Sequence, residues 1–269
     1  MDESTLLRFK GYLNTRSLFK TSCLPDIGLT ELNSEVQWKG DDFRCKNQRL
    51  GKLVEEFVFY QLQQKDAVKW LTENLQIQKN RQTIGELDAL YMLDNQPIHL
   101  EVVYKFYLYD TLESYNEPLS YWIGPNRKDT LCYKLDKLRD KQFPLLFNNE
   151  TIKQLAEYNI DVKAVSQQLC FKAQLFLPYH DSEVDFNLVN EDCVSGFYIS
   201  FNAISTFEAL EFFIPQKLDW LVTPYNDVNW QDYETAMARI QKDIEAQRSP
   251  LVWVKYNETK LIKCFITFW

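Results

Sequence analysis

The amino-acid sequence predicts an α/β fold, and three observations predict it. Apolar residues at helical spacing run from Asn47 to about Gln64: Leu50, Leu53, Val54, Phe57, Val58 and Leu62. Period-two alternation runs from Leu75 to Tyr109, interrupted by the turn sequence DNQP at Asp94 to Pro97. Helical and strand patterns then alternate again to the C-terminus, the signature of a mixed chain.

Taken in order, residues 1–46 read as an N-terminal helical extension with apolar positions Leu6, Leu7, Phe9 and Tyr12, then a loop around Pro25. The helix from Asn47 leads into a three-strand meander ending in "ELDALYML" and "IHLEVVYKFYLY". "GPNRKDTLCYKLDKLRDKQF" predicts a helix, with Asp129 as its N-cap, and "ETIKQLAEYN" a second. The strands "QLCFKAQLFLPY", "SGFYISFNAI" and "ALEFFIP" come next. A helix from Asn229 to about Gln247 precedes the hairpin "LVWVKYNETKLIKCFITFW". Sequential neighbours should therefore pair in the sheet. No Pro/Gly/Ser-rich linker marks a boundary.

Composition narrows the function classes. An apolar fraction of 45% with only 7 Gly describes a folded chain with a sizeable core. The formal charge of −8 excludes global steering towards nucleic acid, so any such partner needs a local basic patch or a bound cation. The six cysteines form no CxxC pair and only His99 and His180 could assist them, which argues against structural zinc and for reduced thiols. The start carries no basic, then apolar, leader, and no window reaches the ~20 apolar residues of a membrane span. A soluble cytoplasmic protein is expected.

The meander contains the chemistry. In "PIHLEVVYKFYLY", Leu100, Val102, Tyr104 and Phe106 share one face of the strand, and His99, Glu101, Val103 and Lys105 share the other. On the preceding strand Glu86, Asp88, Leu90 and Met92 share a face. The turn makes these strands antiparallel neighbours, so Asp88 and Glu101 can converge with Lys105. Two close carboxylates repel unless a cation or proton intervenes, and oxygen ligands of this kind suit Mg²⁺ or Mn²⁺. A plain lysine–carboxylate salt bridge on a solvated sheet face is the competing explanation.

These residues resemble the PD-(D/E)XK nuclease superfamily, whose restriction-endonuclease-like core runs helix, three-strand meander, helix, strand. The resemblance implies such a core over residues 47–147, with an α/β C-terminal elaboration over 148–269. It implies that Glu55 in "RLGKLVEEF" (with Glu56 as the alternative), Asp88 in "GELDAL" and Glu101 in "HLEVVYKFYL" hold the metal, and that Lys105 assists the attacking water. The superfamily's lysine usually stands two positions after the acid, where this chain has Val103. Lys105 lies four positions after Glu101, on the same face but about 7 Å further along the strand. "RLGKLVEE", "GELDALY", "HLEVVYKFYL", "GPNRKDTLCYKLDKLRDKQFPLL" and "LDWL" together resemble the ordered motifs of an uncharacterised bacterial domain family within that superfamily.

Several further residues carry alternatives. Arg127, Lys134, Lys137 and Lys141 either form a phosphate-binding stripe or belong to a solvated helix interleaved with Asp136 and Asp140. Gln142 could reach a phosphate or water. His99 is expected at the strand surface or as an extra ligand. Tyr107 and Tyr109 could stack on a base or pack, and Trp220, Trp253 and Trp269 are expected in a second core. The resulting expectation is Mg²⁺- or Mn²⁺-dependent hydrolysis of nucleic-acid phosphodiester bonds, with DNA favoured over RNA. The alternative is a catalytically inactive module that binds nucleic acid or a protein.

Overall fold

The computed structural model describes residues 3–30, 32, 43, 48–180 and 183–269. Most of the second half of the expected N-terminal extension, with Cys45 and the Asn47 start of the first core helix, lies outside them. In chain order the elements are α1 (Glu3–Asn14), β1 (Gly28–Leu29), α2 (Leu50–Gln63), β2 (Val68–Lys79), β3 (Gln82–Leu93) and β4 (Gln96–Tyr109). Next come β5 (Trp122–Ile123), α3 (Leu131–Lys137), α4 (Asn149–Ala156), β6 (Ser166–Pro178), β7 (Val194–Ser200) and β8 (Glu211–Phe213). The last are α5 (Tyr233–Glu245), β9 (Leu251–Asn257) and β10 (Lys260–Thr267). The chain is α/β, with parallel and antiparallel strand pairs. Among the described residues no helix is long and apolar enough to cross a membrane.

Contacts divide the chain into two compact units, and not at the linear boundaries expected from sequence. The first contains Ser17–Tyr104 and Tyr133–Lys172; the second contains α1, Lys105–Cys132 and Ala173–Trp269. The helix at the start of the expected extension thus belongs to the second unit's packing, where Gly11 lies against the backbone of Leu221.

In the first unit, α2 buries the predicted face, Leu50, Leu53, Val54, Phe57, Val58 and Leu62. The β2–β3 turn at Asn80-Arg81 and the β3–β4 turn at Asp94-Asn95 both place two successive residues at positive φ. That is the tight hairpin geometry whose twist matches the flanking strands. Asp94-Asn95 is the centre of the predicted DNQP turn, and it sets the register Leu90↔His99 and Ala89↔Leu100. Leu87 and Leu90 pack with Ile77, Leu146 and Leu155. Gly85 leaves room for Leu145, since a Cβ there would stand 2.5 Å from its Cδ2.

The predicted lysine-rich helix is not one regular helix. α3 ends at Lys137, a π-turn spans Leu138–Gln142, and a 3₁₀ segment, Phe143–Phe147, carries Pro144. Leu131, Leu135 and Leu138 face inward as expected, but the wider turn rotates the residues beyond it. Asp129 does not cap α3; its Oδ2 accepts from Lys105 Nζ at 2.6 Å.

In the second unit, β7 pairs in parallel with β10 and with Ala173–Pro178 of β6. β9 pairs antiparallel with β10 and β8. α5 covers this sheet with Ala236 and Ile240 against Phe212, Val252, Val254 and Ile266. It starts four residues later than the spacing suggests. Phe212 exchanges backbone hydrogen bonds with Gln231, holding that segment extended, and Asp232 caps the helix through Thr235 N–H at 2.8 Å. The expected strand "SGFYISFNAI" ends at Ser200, where a 3₁₀ segment, Phe201–Phe207, begins. Trp253 is fully buried and Trp220 nearly so.

Gly196 on β7 faces Lys263, and a Cβ there would approach the Lys263 carbonyl oxygen to 2.1 Å. Gly196→Ala should therefore destabilise the protein by about 1–3 kcal/mol through overpacking. Urea denaturation measures it, and a loss below about 0.5 kcal/mol would mean that β10 yields freely.

Candidate functional site

The site is built on the β3–β4 hairpin and the buried face of α2, all in the first unit. Antiparallel pairing of Leu90 with His99 puts Asp88 and Glu101 on the same face, as the alternation predicts. The last β3–β4 pair is Ala89↔Leu100. Beyond it, Val102 N–H donates to Asp88 Oδ2 at 2.9 Å. A side chain thus replaces the next ladder bond, and the strands part where the acids sit. From α2, Glu55 is buried and turned to the hairpin, while its neighbour Glu56 is more exposed.

Among the described residues, Glu55, Glu86 and Asp88 each offer a carboxylate oxygen within 4.8 Å of the others. Glu101 is held beside them. Its Oε1 is 3.0 Å from His99 Nε2, and its Oε2 accepts from Gln142 Nε2. Gln167 Nε2 approaches His99 Nδ1 at 3.0 Å and donates to the Phe143 carbonyl at 2.9 Å. Because the amide nitrogen can only donate, Nδ1 accepts, and Nε2–H donates to Glu101. His99 is fully buried, not at the strand surface, and it positions Glu101 in its neutral tautomer. Burial drops its pKa to about 4.

Three of these carboxyls are held above the ordinary carboxylate range. Burial, then the Asp88 charge, raises Glu55 to about 7. Burial, then the Glu101 charge, raises Asp88 to about 7. Burial raises Glu101 to about 8, with Lys134 opposing and Glu55 adding. Desolvation and like-charge repulsion are the two physical causes. The competing explanation, a salt bridge on a solvated face, does not describe them, since Asp88 and Glu101 are buried.

One internal cation already sits among the oxygens. Lys52 Nζ donates to Glu55 Oε2 at 2.6 Å, Glu86 Oε1 at 2.5 Å and Asn74 Oδ1 at 2.7 Å. Gln76 Nε2 donates to the other Glu86 oxygen. Burial pulls the Lys52 pKa down, but the Glu55 and Glu86 hydrogen bonds outweigh it and the value is raised. Three oxygens around one ammonium form a donor set that fits a hard divalent ion.

Not every sequence candidate is brought together. Lys105 is committed to Asp129. The lysine whose charge lowers both Asp88 and Glu101 is Lys134, whose Nζ donates to Gln142 Oε1 at 2.6 Å. Gln142 thus links Lys134 to Glu101. Lys137, the last residue of α3, and Lys141, in the π-turn, are exposed. Arg127 is in the second unit, bidentate to buried Asp110 at 2.7 and 3.1 Å and stacked 4.8 Å from the Trp269 ring.

Sequence reasoning missed Glu86 as a ligand and missed Lys52, Asn74 and Gln76. Glu86 was legible by alternation, since it shares the Asp88 face, and Lys52 by its place one helical turn before Glu55.

An α/β chain with a carboxylate cluster gathered from α2 and β3 is the class that fold and site define. A family model described as "Domain of unknown function (DUF1853)" matches residues 28–263, and the chain belongs to that family. No curated protein and no solved structure matches it.

The raised carboxyl pKa values have a signed consequence for stability. Without a divalent ion, the folded state keeps protons up to about pH 7 that an unfolded Asp88 releases near pH 4. Its contribution is therefore present below about pH 4 and lost as the pH rises through 7. Asp88→Asn retains an oxygen acceptor for Val102 N–H but carries no charge. It should match wild type near pH 4 and exceed it by up to about 4 kcal/mol at pH 8. Melting curves across that range check it; a variant less stable at pH 8 would show that the Asp88 charge is structurally favourable.

Proposed function

We propose that this protein is a metal-dependent phosphodiesterase acting on nucleic acid, with a PD-(D/E)XK-like core in its first unit. The observation that carries the reading is the convergence of Glu55, Glu86 and Asp88 within 4.8 Å, with Glu101 fixed alongside. The order helix, meander, helix, strand from α2 to β6 is compatible with it. Mg²⁺ or Mn²⁺ is the proposed cofactor, held by Glu55, Asp88 and Glu86. Such an ion would supply Lewis acidity and a lower pKa for bound water.

The chain's own residues have distinct tasks in this reading. Glu101, oriented by His99 and Gln142, accepts a proton from the attacking water. Lys134 faces the developing negative charge on the phosphoryl oxygens. Lys52 neutralises the carboxylates when no ion is bound and yields their oxygens when one is. Lys137 and Lys141 are the exposed cations for backbone phosphates, while Arg127 serves Asp110. Lys105, implied by the resemblance as the catalytic lysine, is replaced in that role by Lys134.

A second reading, an inactive module that binds nucleic acid or a protein, is favoured by Val103. It occupies the superfamily's usual lysine position and is buried. A Mg²⁺/Mn²⁺ cleavage panel on DNA and RNA substrates separates the two. Lys134→Ala should reduce cleavage about 100-fold and Lys105→Ala by less than about threefold. The reverse order would return the catalytic role to Lys105, and no cleavage of any substrate would leave the binding module.

Ion binding is checked apart from turnover by calorimetric Mn²⁺ titration. Asp88→Asn should abolish it. Lys52→Met should tighten it by about five- to tenfold, because no ammonium competes for the oxygens. An unaltered affinity in both variants would place the ion elsewhere.

A further inference from the structure

A concavity of about 750 Å³ in the first unit shares one residue with the support of Glu101. Leu24 and Ile27, from the segment before β1, line it together with Phe143 and Phe147. Gln167 and Arg139 also line it. Its size is within the range of small-molecule sites.

Three features describe the occupant. Phe143 is fixed, with the His99 ring edge-on at 5.9 Å, whereas Phe147 is 53% exposed. The exposed Phe147 ring offers a stacking surface for a flat group. The Gln167 amide is locked through both N–H bonds of Nε2, to His99 and to the Phe143 carbonyl. Its Oε1, with no protein partner among the described residues, is a positioned acceptor for an N–H. Arg139 is held by Asp136 at 2.8 Å and by Asp140 at 2.7 Å, and Asp26 also lines the cavity. Three carboxylates against one guanidinium disfavour an anionic group there.

We propose that this cavity receives an unstacked nucleobase of the nucleic-acid strand, its phosphate remaining outside; this rests on the function proposed above and specifies its substrate. An uncharged, planar ring with an N–H edge meets all three features. Seating it on Gln167 Oε1 leaves Nε2 on His99, so base recognition and the orientation of Glu101 share one side chain.

Saturation-transfer NMR with adenosine, guanosine, cytidine and uridine tests the proposal, with ribose 5-phosphate and N-acetyl-leucinamide as controls. Nucleosides should bind with the strongest transfer to base protons, and both controls should show none. Phe147→Ala, at an exposed position, and Gln167→Ala should each weaken binding about fivefold or more. Asp88→Asn should bind nucleosides like wild type, so loss of cleavage chemistry is distinguishable from loss of this site. Three outcomes overturn it: no nucleoside binding, binding untouched by both cavity variants, or stronger binding of N-acetyl-leucinamide, which would assign the cavity to a protein side chain.

Discussion

Repulsion among carboxylates removed from water is the constraint on which the first unit depends. Glu55, Glu86, Asp88 and Glu101 would not be tolerated together without compensation. The compensation is local. Lys52 comes from the same helix as Glu55, one turn earlier, and holds three oxygens. Asp88 takes a backbone N–H where the β3–β4 ladder stops. The π-turn after α3 brings Gln142 to Glu101, and Lys134 through Gln142. The parted ladder and the π-turn, both departures from regular geometry, thus each meet a carboxylate.

The same logic explains why Glu101 differs from its neighbours. Its two oxygens are taken by neutral donors, His99 and Gln142, and not by a cation in hydrogen-bond contact. Neutral donors fix orientation without supplying a counter-charge, so burial dominates and the carboxyl is raised to about 8. Glu55 and Glu86 have Lys52 directly. The site therefore contains one carboxylate oriented by neutral groups beside others matched to a cation, an asymmetry suited to the proposed division between proton transfer and ion binding.

The second unit relies on a different device. Lys263, buried on β10, donates to Gln174 Oε1 at 2.8 Å and to the Trp220 carbonyl at 2.7 Å. It thereby ties the "LDWL" segment to the sheet, and burial lowers its pKa to about 7. In this unit charged groups serve packing: Arg127 answers Asp110 and Lys105 answers Asp129. Arg127, offered by the sequence for phosphate, and Lys105, implied for the attacking water, are thus both held in ion pairs.

The sequence by itself determined the features that depend on short-range periodicity. The α2 face, the Asp94-Asn95 turn and the shared face of Asp88 and Glu101 come from repeats of 3.6 and 2 and from the positive φ that Asp and Asn tolerate. The resemblance carried over Glu55 in the same way, by position on a helix. Only the tertiary structure decided the partners. Lys105 and Lys134 have the same charge and both lie near the motif in sequence, yet one pairs with Asp129 and the other acts on the carboxylates. The π-turn, the burial of His99 and its bond to Gln167 were illegible because each depends on contacts distant in sequence: Gln167 and His99 lie 68 residues apart. Alternation says which face a side chain takes, whereas burial and the choice of counter-charge arise only when separate elements close around it.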